Sequence, residues 1–422
     1  MNLIYIIKNQ IWQIWKGDTT LLIHKLLKLC ALPFVLVISI PAIIVIRMIR
    51  PWLVVRFGNL ISNRIGHFAA NTELYLTECE ANINTPHVNY IDIFYLDLNV
   101  CNKQLMVMWK RVLHILPRII IRPIQYLNRC IPGWQVHEIN QPTQSDRDIH
   151  NLLEQFPAHL NFTSEEELKG RMALHAMGIS QNDRFVCLLV RDSAYLSDKS
   201  WSYHSYRDSD ISNYLLASEE LVKRGYYVIR MGAKVNATLA SGDKKIIDYA
   251  SNGMRSDFMD IYLGAKCHFC LSTSAGWDAI PMIFRRPIAF TNSVPLGYFF
   301  TFLPHSLVLT KKHYSLKDNK HLTLDEIFRS DLGFCLHATD YEDKQIRLIE
   351  NTPEEIRDLC TEFEERLSGT WVSVEQDEKL QKRFWEVYPV NSVDSQNHKP
   401  LHGRIHQRYS THYLRKNPQW LT

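Results

Sequence analysis

The chain has 422 residues, enough for two or three domains, and its 46% hydrophobic and 22% charged residues exclude global disorder. The net charge of +4 is mild and by itself names no partner. Nine thinly spread cysteines exclude a disulfide framework and point to a reducing compartment.

Residues 1–50 read as a membrane-associating segment. Leu29 to Ile46 carries no charge and lies between Lys25 and Lys28 on one side and Arg47 and Arg50 on the other. It is barely long enough for a span, which takes ~20 residues, and Pro33 and Pro41 would kink it. A spanning helix, a re-entrant or surface-lying anchor and a buried helix all fit. No Asp or Glu occurs between Asp18 and Glu73 or between Asp97 and Glu138, a pattern that suits an anionic lipid surface at least as well as nucleic acid. Lys103 to Arg129 reads as a basic amphipathic stretch at a membrane interface, or as a packed helical hairpin broken at Pro117.

Residues 51–165 are expected to form an N-terminal α/β domain. "WLVVRF" (52–57) reads as a strand, "GNLISNRIGH" as a Gly-containing turn, "HFAANTELYLTECE" (67–80) as a helix and "VNYIDIFYLDL" (88–98) as a second strand. Residues 166–390 are expected to form a second, more regular α/β domain. Apolar strands over 184–192, 226–232, 267–272, 288–292 and 305–312 alternate with helices, two of them opened by Thr323 and Thr352 with acidic first turns. That alternation predicts a parallel sheet. Residues 391–422 read as a polar, basic, loosely ordered tail.

In an open parallel sheet, ligands bind beyond the carboxyl ends of the strands. Arg191, Arg230 with Gly232, and the run Ser272, Thr273, Ser274, Ala275, Gly276 stand at predicted strand ends, and Arg207 precedes a helix. Small hydroxyl residues and a glycine let a phosphate approach backbone N–H groups. The same residues also suit a helix start. Three arginines converging there would neutralise a diphosphate, although each could instead pair with a local acid such as Asp192, Asp208 or Asp260. Cys267-His268-Phe269-Cys270 has no second half that would make a zinc site, and the cysteines read as buried apolar residues of a strand. Asp208-Ser209-Asp210 reads as a helix cap rather than a metal site, so no metal is expected. Neither a phosphate-binding Gly-x-x-x-x-Gly-Lys-Ser/Thr loop nor a Gly-x-Gly-x-x-Gly dinucleotide turn is present.

"RFVCLLVRDSAYL", "YHSYRDSDISNYLLASEELVKRGYYVIRMG", "DFMDIYLGAKCHFCLSTSAGWDAIPMIFRRP" and "RIGHFAANTELYL" together resemble bacterial glycosyltransferases of unassigned substrate associated with surface polysaccharide. The match spans most of residues 52–370. The resemblance implies a GT-B architecture, with two Rossmann-like domains facing across a cleft. The first would be the acceptor side, and the second would hold a nucleotide-sugar. More distantly the chain is similar to bacterial fucosyltransferases, with Arg191-Asp192 at the position of their arginine-and-acid motif but with one arginine only.

The implied activity moves a sugar from a nucleotide-sugar to a glycan or lipid-linked acceptor, at the cytoplasmic face of the inner membrane. No metal, other cofactor or nucleic acid is expected to take part. Arg191 and Arg207 would stabilise the departing nucleoside diphosphate, and Arg230, Gly232, Ser272, Thr273, Ser274 and Gly276 would hold the donor. His67 would deprotonate the acceptor, with Glu73 and Asp97 as weaker bases. The alternative is a non-catalytic, membrane-anchored subunit that binds a nucleotide-sugar or glycan.

Overall fold

The computed structural model describes residues 36–139, 146–194, 199–395 and 398–422. Two compact units interleave along the chain. Met1–Leu60, Pro86–Asp97 and Leu113–Asn140 form one, and Ile61–Thr85, Leu98–Val112 and Gln141–Thr422 form the other. The domain expected over 51–165 is therefore divided. The Ile65–Glu80 and Lys103–Val112 helices belong to the second unit, where Phe68, Leu74, Leu105 and Trp109 are buried and Trp109 Nε1 donates to Phe68 O at 3.0 Å.

The first unit carries three parallel strands in the order β1 (Val54–Leu60), β2 (Tyr90–Leu96), β3 (His114–Ile115). Branched and aromatic residues favour these strands, and β1 is buried almost throughout. Val55, Phe57 and Tyr95 pack with Ile121 and Ile124 of the Arg118–Asn128 helix and with Ile43. Arg56 and Asp92 lie opposite each other on β1 and β2 and join in a buried two-pronged ion pair, with Nε to Oδ1 at 2.6 Å.

Ile43 belongs to a helix over residues 36–49, which takes up part of the membrane-associating segment expected over 1–50; residues 1–35 of that segment lie outside the described residues. One face of this helix joins the core, while Val37, Ile44, Val45 and Met48 are exposed. Among the described residues no helix is long and apolar enough to cross a membrane. The stretch over 103–129 breaks after Val112, and its two helices fall in different units.

The second unit is built on a seven-stranded, all-parallel sheet. Its strands are β4 (Phe185–Leu189), β5 (Tyr227–Met231), β6 (Ile246–Ile247), β7 (Phe269–Ser272), β8 (Ile288–Ser293), β9 (Ser306–Thr310) and, after three strands described next, β13 (Arg408–Tyr409). β10 (Lys312–Ser315), β11 (Lys320–His321) and β12 (Ile346–Ile349) make a small antiparallel sheet. The large sheet runs β13-β9-β8-β7-β4-β5-β6. Strands are added outward on one side from β4 to β6 and on the other from β7 onward. The order therefore reverses between β4 and β7, and such a switch point opens a crevice at the strand ends.

β4, β7 and β8 are buried along their whole length, as parallel strands covered on both faces are; β4 is wholly apolar, while β7 ends in Ser272 and β8 in Thr291, Asn292 and Ser293. Thr323 and Thr352 form capping boxes with Glu326 and Glu355, which fixes the two expected helix starts. Asp210 caps a tight turn at Ile211–Tyr214 that leads into the Leu215–Lys223 helix. The C-terminal stretch is not a loose tail. β13 pairs with β9, and Leu401, Tyr409, Leu414 and Leu421 are buried.

Candidate functional site

A cavity of about 680 Å³ lies in the second unit at the carboxyl ends of β4, β5 and β7. Arg191 and Asp192 reach it from β4, Gly232 and Lys234 from β5, and Ser274, Ala275 and Gly276 from β7. Gly66 and His67, from the first turn of the Ile65–Glu80 helix, form another part of its wall.

The small residues after β7 build the turn from within. Thr273 N–H donates to Leu189 O at 3.1 Å, and Thr273 Oγ1 accepts the Arg191 N–H at 2.8 Å. Ser272 Oγ donates to Asp278 Oδ2 at 3.0 Å and accepts the Ser274 N–H at 3.1 Å. Ser272 and Thr273 are thus buried behind the wall, with their hydroxyls spent on tying β7 to β4 and to Asp278. Their expected contact with a donor is corrected to a supporting role. Ser274 has a φ of +59° and shares a hydrogen bond with Ser293 at 2.9 Å, leaving the turn from Ser274 to Gly276 on the cavity. A Cβ on Gly66 would lie 3.1 Å from Gly276 O, so the glycine lets the two backbones approach to a distance that a side chain would widen by a few tenths of an ångström.

Two of the three expected arginines reach the cavity. Arg191 Nε donates to Asp208 Oδ1 at 3.3 Å, and burial, then the like charge of Arg207, lowers the Arg191 pKa. Arg207 donates to the carbonyl of Ser274, and its buried Nε has no partner. Arg230 is the correction. It is 1% exposed and absent from the cavity wall, with one guanidinium nitrogen on Ala237 O at 2.8 Å and on the Asp248 carboxylate at 3.2 and 3.3 Å. Its other terminal nitrogen stands 3.9 Å from Asp192. A guanidinium taken out of water in mid-sheet needs such acids nearby.

His67 lines the cavity, with Nδ1 3.4 Å from Asn71 Oδ1. Glu73 does not; it is buried and bonded to Arg285 at 2.6 Å and to His159 at 3.1 Å. Asp97 belongs to the first unit, where it meets Asn59 at 3.1 Å and Arg118 at 3.4 Å.

Sequence reasoning passed over Arg64, Asp278 and His204, all on the wall. Burial pushes the Asp278 carboxyl up to about 7, against the opposing pull of the Ser272 hydroxyl and the Arg207 charge. Burial, then Arg207 and Arg191, pushes the His204 imidazole down to about 4. The position of Asp278 two residues after Gly276 was the available signal. Among the described residues no group of three or more His, Cys, Asp or Glu is arranged to hold a metal ion, and Cys267 and Cys270 are buried apolar residues. Cationic side chains beside a small-residue backbone turn form a place for a polyanion.

No protein-family model and no curated protein matches the chain. Solved structures similar to it include ADP-heptose LPS heptosyltransferase II of E. coli (11% identity, 73% of this chain and 98% of that one, TM-score 0.42). A family 9 glycosyl transferase from Veillonella parvula is similar at 11% identity, covering 73% of this chain and 97% of that one, with a TM-score of 0.40. The dodecameric iron-containing heptosyltransferase TibC, in complex with ADP-D-beta-D-heptose, is similar at 9% identity, covering 75% and 77%, with a TM-score of 0.34. At such identities and scores the likeness decides neither fold nor activity.

Proposed function

We propose that the protein is a nucleotide-sugar-dependent glycosyltransferase of GT-B type, acting in bacterial surface-polysaccharide or glycoconjugate synthesis. One observation carries the reading: Arg191, Arg207 and the Ser274–Gly276 turn meet at the switch point of a parallel sheet. Two guanidinium groups there would neutralise a donor diphosphate, and the small-residue backbone would let it come close. As the glycosyl bond breaks, the same groups would stabilise the charge growing on the departing nucleoside diphosphate. In this reading arginines, rather than a metal ion, carry that charge. His67, on the same wall, is the assigned base for the acceptor hydroxyl.

The acceptor in this reading is a glycan or lipid-linked sugar at the cytoplasmic face of the inner membrane. Support comes from the exposed Val37, Ile44, Met48, Trp52 and Ile119, which lie in stretches without acidic residues. Retention on anionic vesicles, lost when Met48 and Trp52 are replaced by serine, checks this part.

The direct test of the donor site is thermal stability with UDP, GDP, CMP and dTDP and their sugars. A ligand at 100 times its dissociation constant adds about 2.7 kcal/mol. The expected result is a rise with one nucleotide that Arg191→Ala abolishes. No rise with any of them at millimolar concentration overturns the reading.

A further inference from the structure

We propose that Asp278 is the positioning residue of the cradle: it fixes the Ser274–Gly276 turn and, through the Ser274 carbonyl, holds the Arg207 guanidinium where a diphosphate would meet it. Asp278 acts through its neighbours and need not touch the ligand. This rests on the glycosyltransferase reading for the identity of that ligand, and it adds what keeps the site in its binding form.

Four residues form a relay. Ser272 Oγ donates to Asp278 Oδ2 at 3.0 Å. A hydroxyl has one proton, so this bond leaves the Ser272 oxygen with only its lone pairs to offer. One of them accepts the Ser274 N–H at 3.1 Å. The Ser274 carbonyl in turn accepts from Arg207. The backbone N–H of Ala275 also bonds to the Asp278 carboxyl, so both ends of the turn are tied to one side chain. Ser274 needs such ties. Its φ of +59° lies in the left-handed region, which a serine keeps only where its surroundings impose it. The bond to Ser272 holds its N–H, and Ser293 holds its hydroxyl at 2.9 Å.

The carboxyl is a costly choice for a mere filler. Asp278 is buried, and among the described residues no ion pair neutralises it; Arg207 pulls on it without pairing. A buried carboxyl without a cation is unfavourable unless donors converge on it. Here the donors are the hydroxyl and the N–H that shape the cradle. Without Asp278, the Ser272 hydroxyl is free to rotate, the Ser274 N–H loses its fixed acceptor, and the carbonyl that anchors Arg207 is no longer held. A diphosphate would then have to order the turn as it binds, which lowers affinity.

The test is a double-mutant cycle read by binding. Calorimetry on the full chain measures UDP, GDP, ADP, dTDP and inorganic pyrophosphate, with urea midpoints in parallel. The variants are Asp278→Val, Ser272→Ala, the two combined, and Asp278→Asn. Asp278→Val and Ser272→Ala should each weaken pyrophosphate and the preferred nucleotide about tenfold, the worth of roughly one neutral hydrogen bond. The combined variant should be no weaker than either, because both changes break one relay. Asp278→Asn, whose amide oxygen accepts from Ser272, should recover most of the loss. If Asp278→Val does not fold, Asp278→Asn is placed on Ser272→Ala instead and should add no further loss. Shifted urea midpoints with wild-type affinity in the folded variants would show a purely structural residue and overturn the proposal alone. Losses that multiply in the combined variant would do the same. No binding of any nucleotide or of pyrophosphate to the wild type overturns both the proposal and the reading beneath it.

Discussion

The backbone N–H of Arg191 donates to the hydroxyl of Thr273 at 2.8 Å, joining the end of β4 to the turn after β7. The two lips of the switch point are thereby held in register by one side chain. Thr273→Val keeps the volume and removes the acceptor. Leaving that N–H unmet costs about 1–2 kcal/mol. The urea midpoint should fall accordingly and nucleotide binding should weaken, while Thr273→Ser stays near wild type in both.

Gly66 and Gly276 should respond differently to the same substitution. A Cβ at Gly66 would lie 3.1 and 3.2 Å from backbone atoms of Gly276, whereas a Cβ at Gly276 would have its nearest contact at 3.6 Å. Alanine at 66 gains helix propensity of about 1 kcal/mol but must push a backbone turn aside, an overlap that costs about 1–3 kcal/mol. We expect Gly66→Ala to lower the thermal midpoint and nucleotide affinity together, and Gly276→Ala to leave stability near wild type. Equal effects from the two would argue against close packing at this point.

Arg230→Met should act on stability first. It removes the cation facing Asp248 and Asp192, and loss of one partner of a buried pair costs about 3–5 kcal/mol. Under conditions where the variant remains folded, nucleotide affinity should stay within a few-fold of wild type. A loss of binding without a loss of stability would restore Arg230 to the donor site.

Burial pushes the Asp278 carboxyl up to about 7, above its ordinary value. Between about pH 4 and pH 7 the folded protein keeps a proton there that the unfolded chain has lost. Stability from this group is therefore complete at the acid end, falls as pH rises through that window and levels off above it. Asp278→Asn should flatten this part of the urea-midpoint profile. An unchanged slope would show that the carboxyl titrates normally.

Much of the second unit was legible in the sequence. Uninterrupted apolar runs such as "FVCLL" mark strands buried on both faces, and Thr323 and Thr352 with their acidic first turns announce helices, because these signals are local. Arg191, Arg207, Ser274 and Gly276, expected from strand ends and a small-residue turn, lie on the cavity wall. Tertiary structure alone decided which way each group faces. Arg230 stands on a strand end as Arg191 does, yet the 234–250 segment brings Asp248 to it and buries it. Ser272 and Thr273 cannot be told from Ser274 by spacing, but hydrogen bonds to Asp278 and Arg191 bury the first two, and a left-handed φ leaves the third on the cavity. The assignment of the Ile65–Glu80 helix to the second unit rests on contacts made far along the chain, which no local pattern encodes.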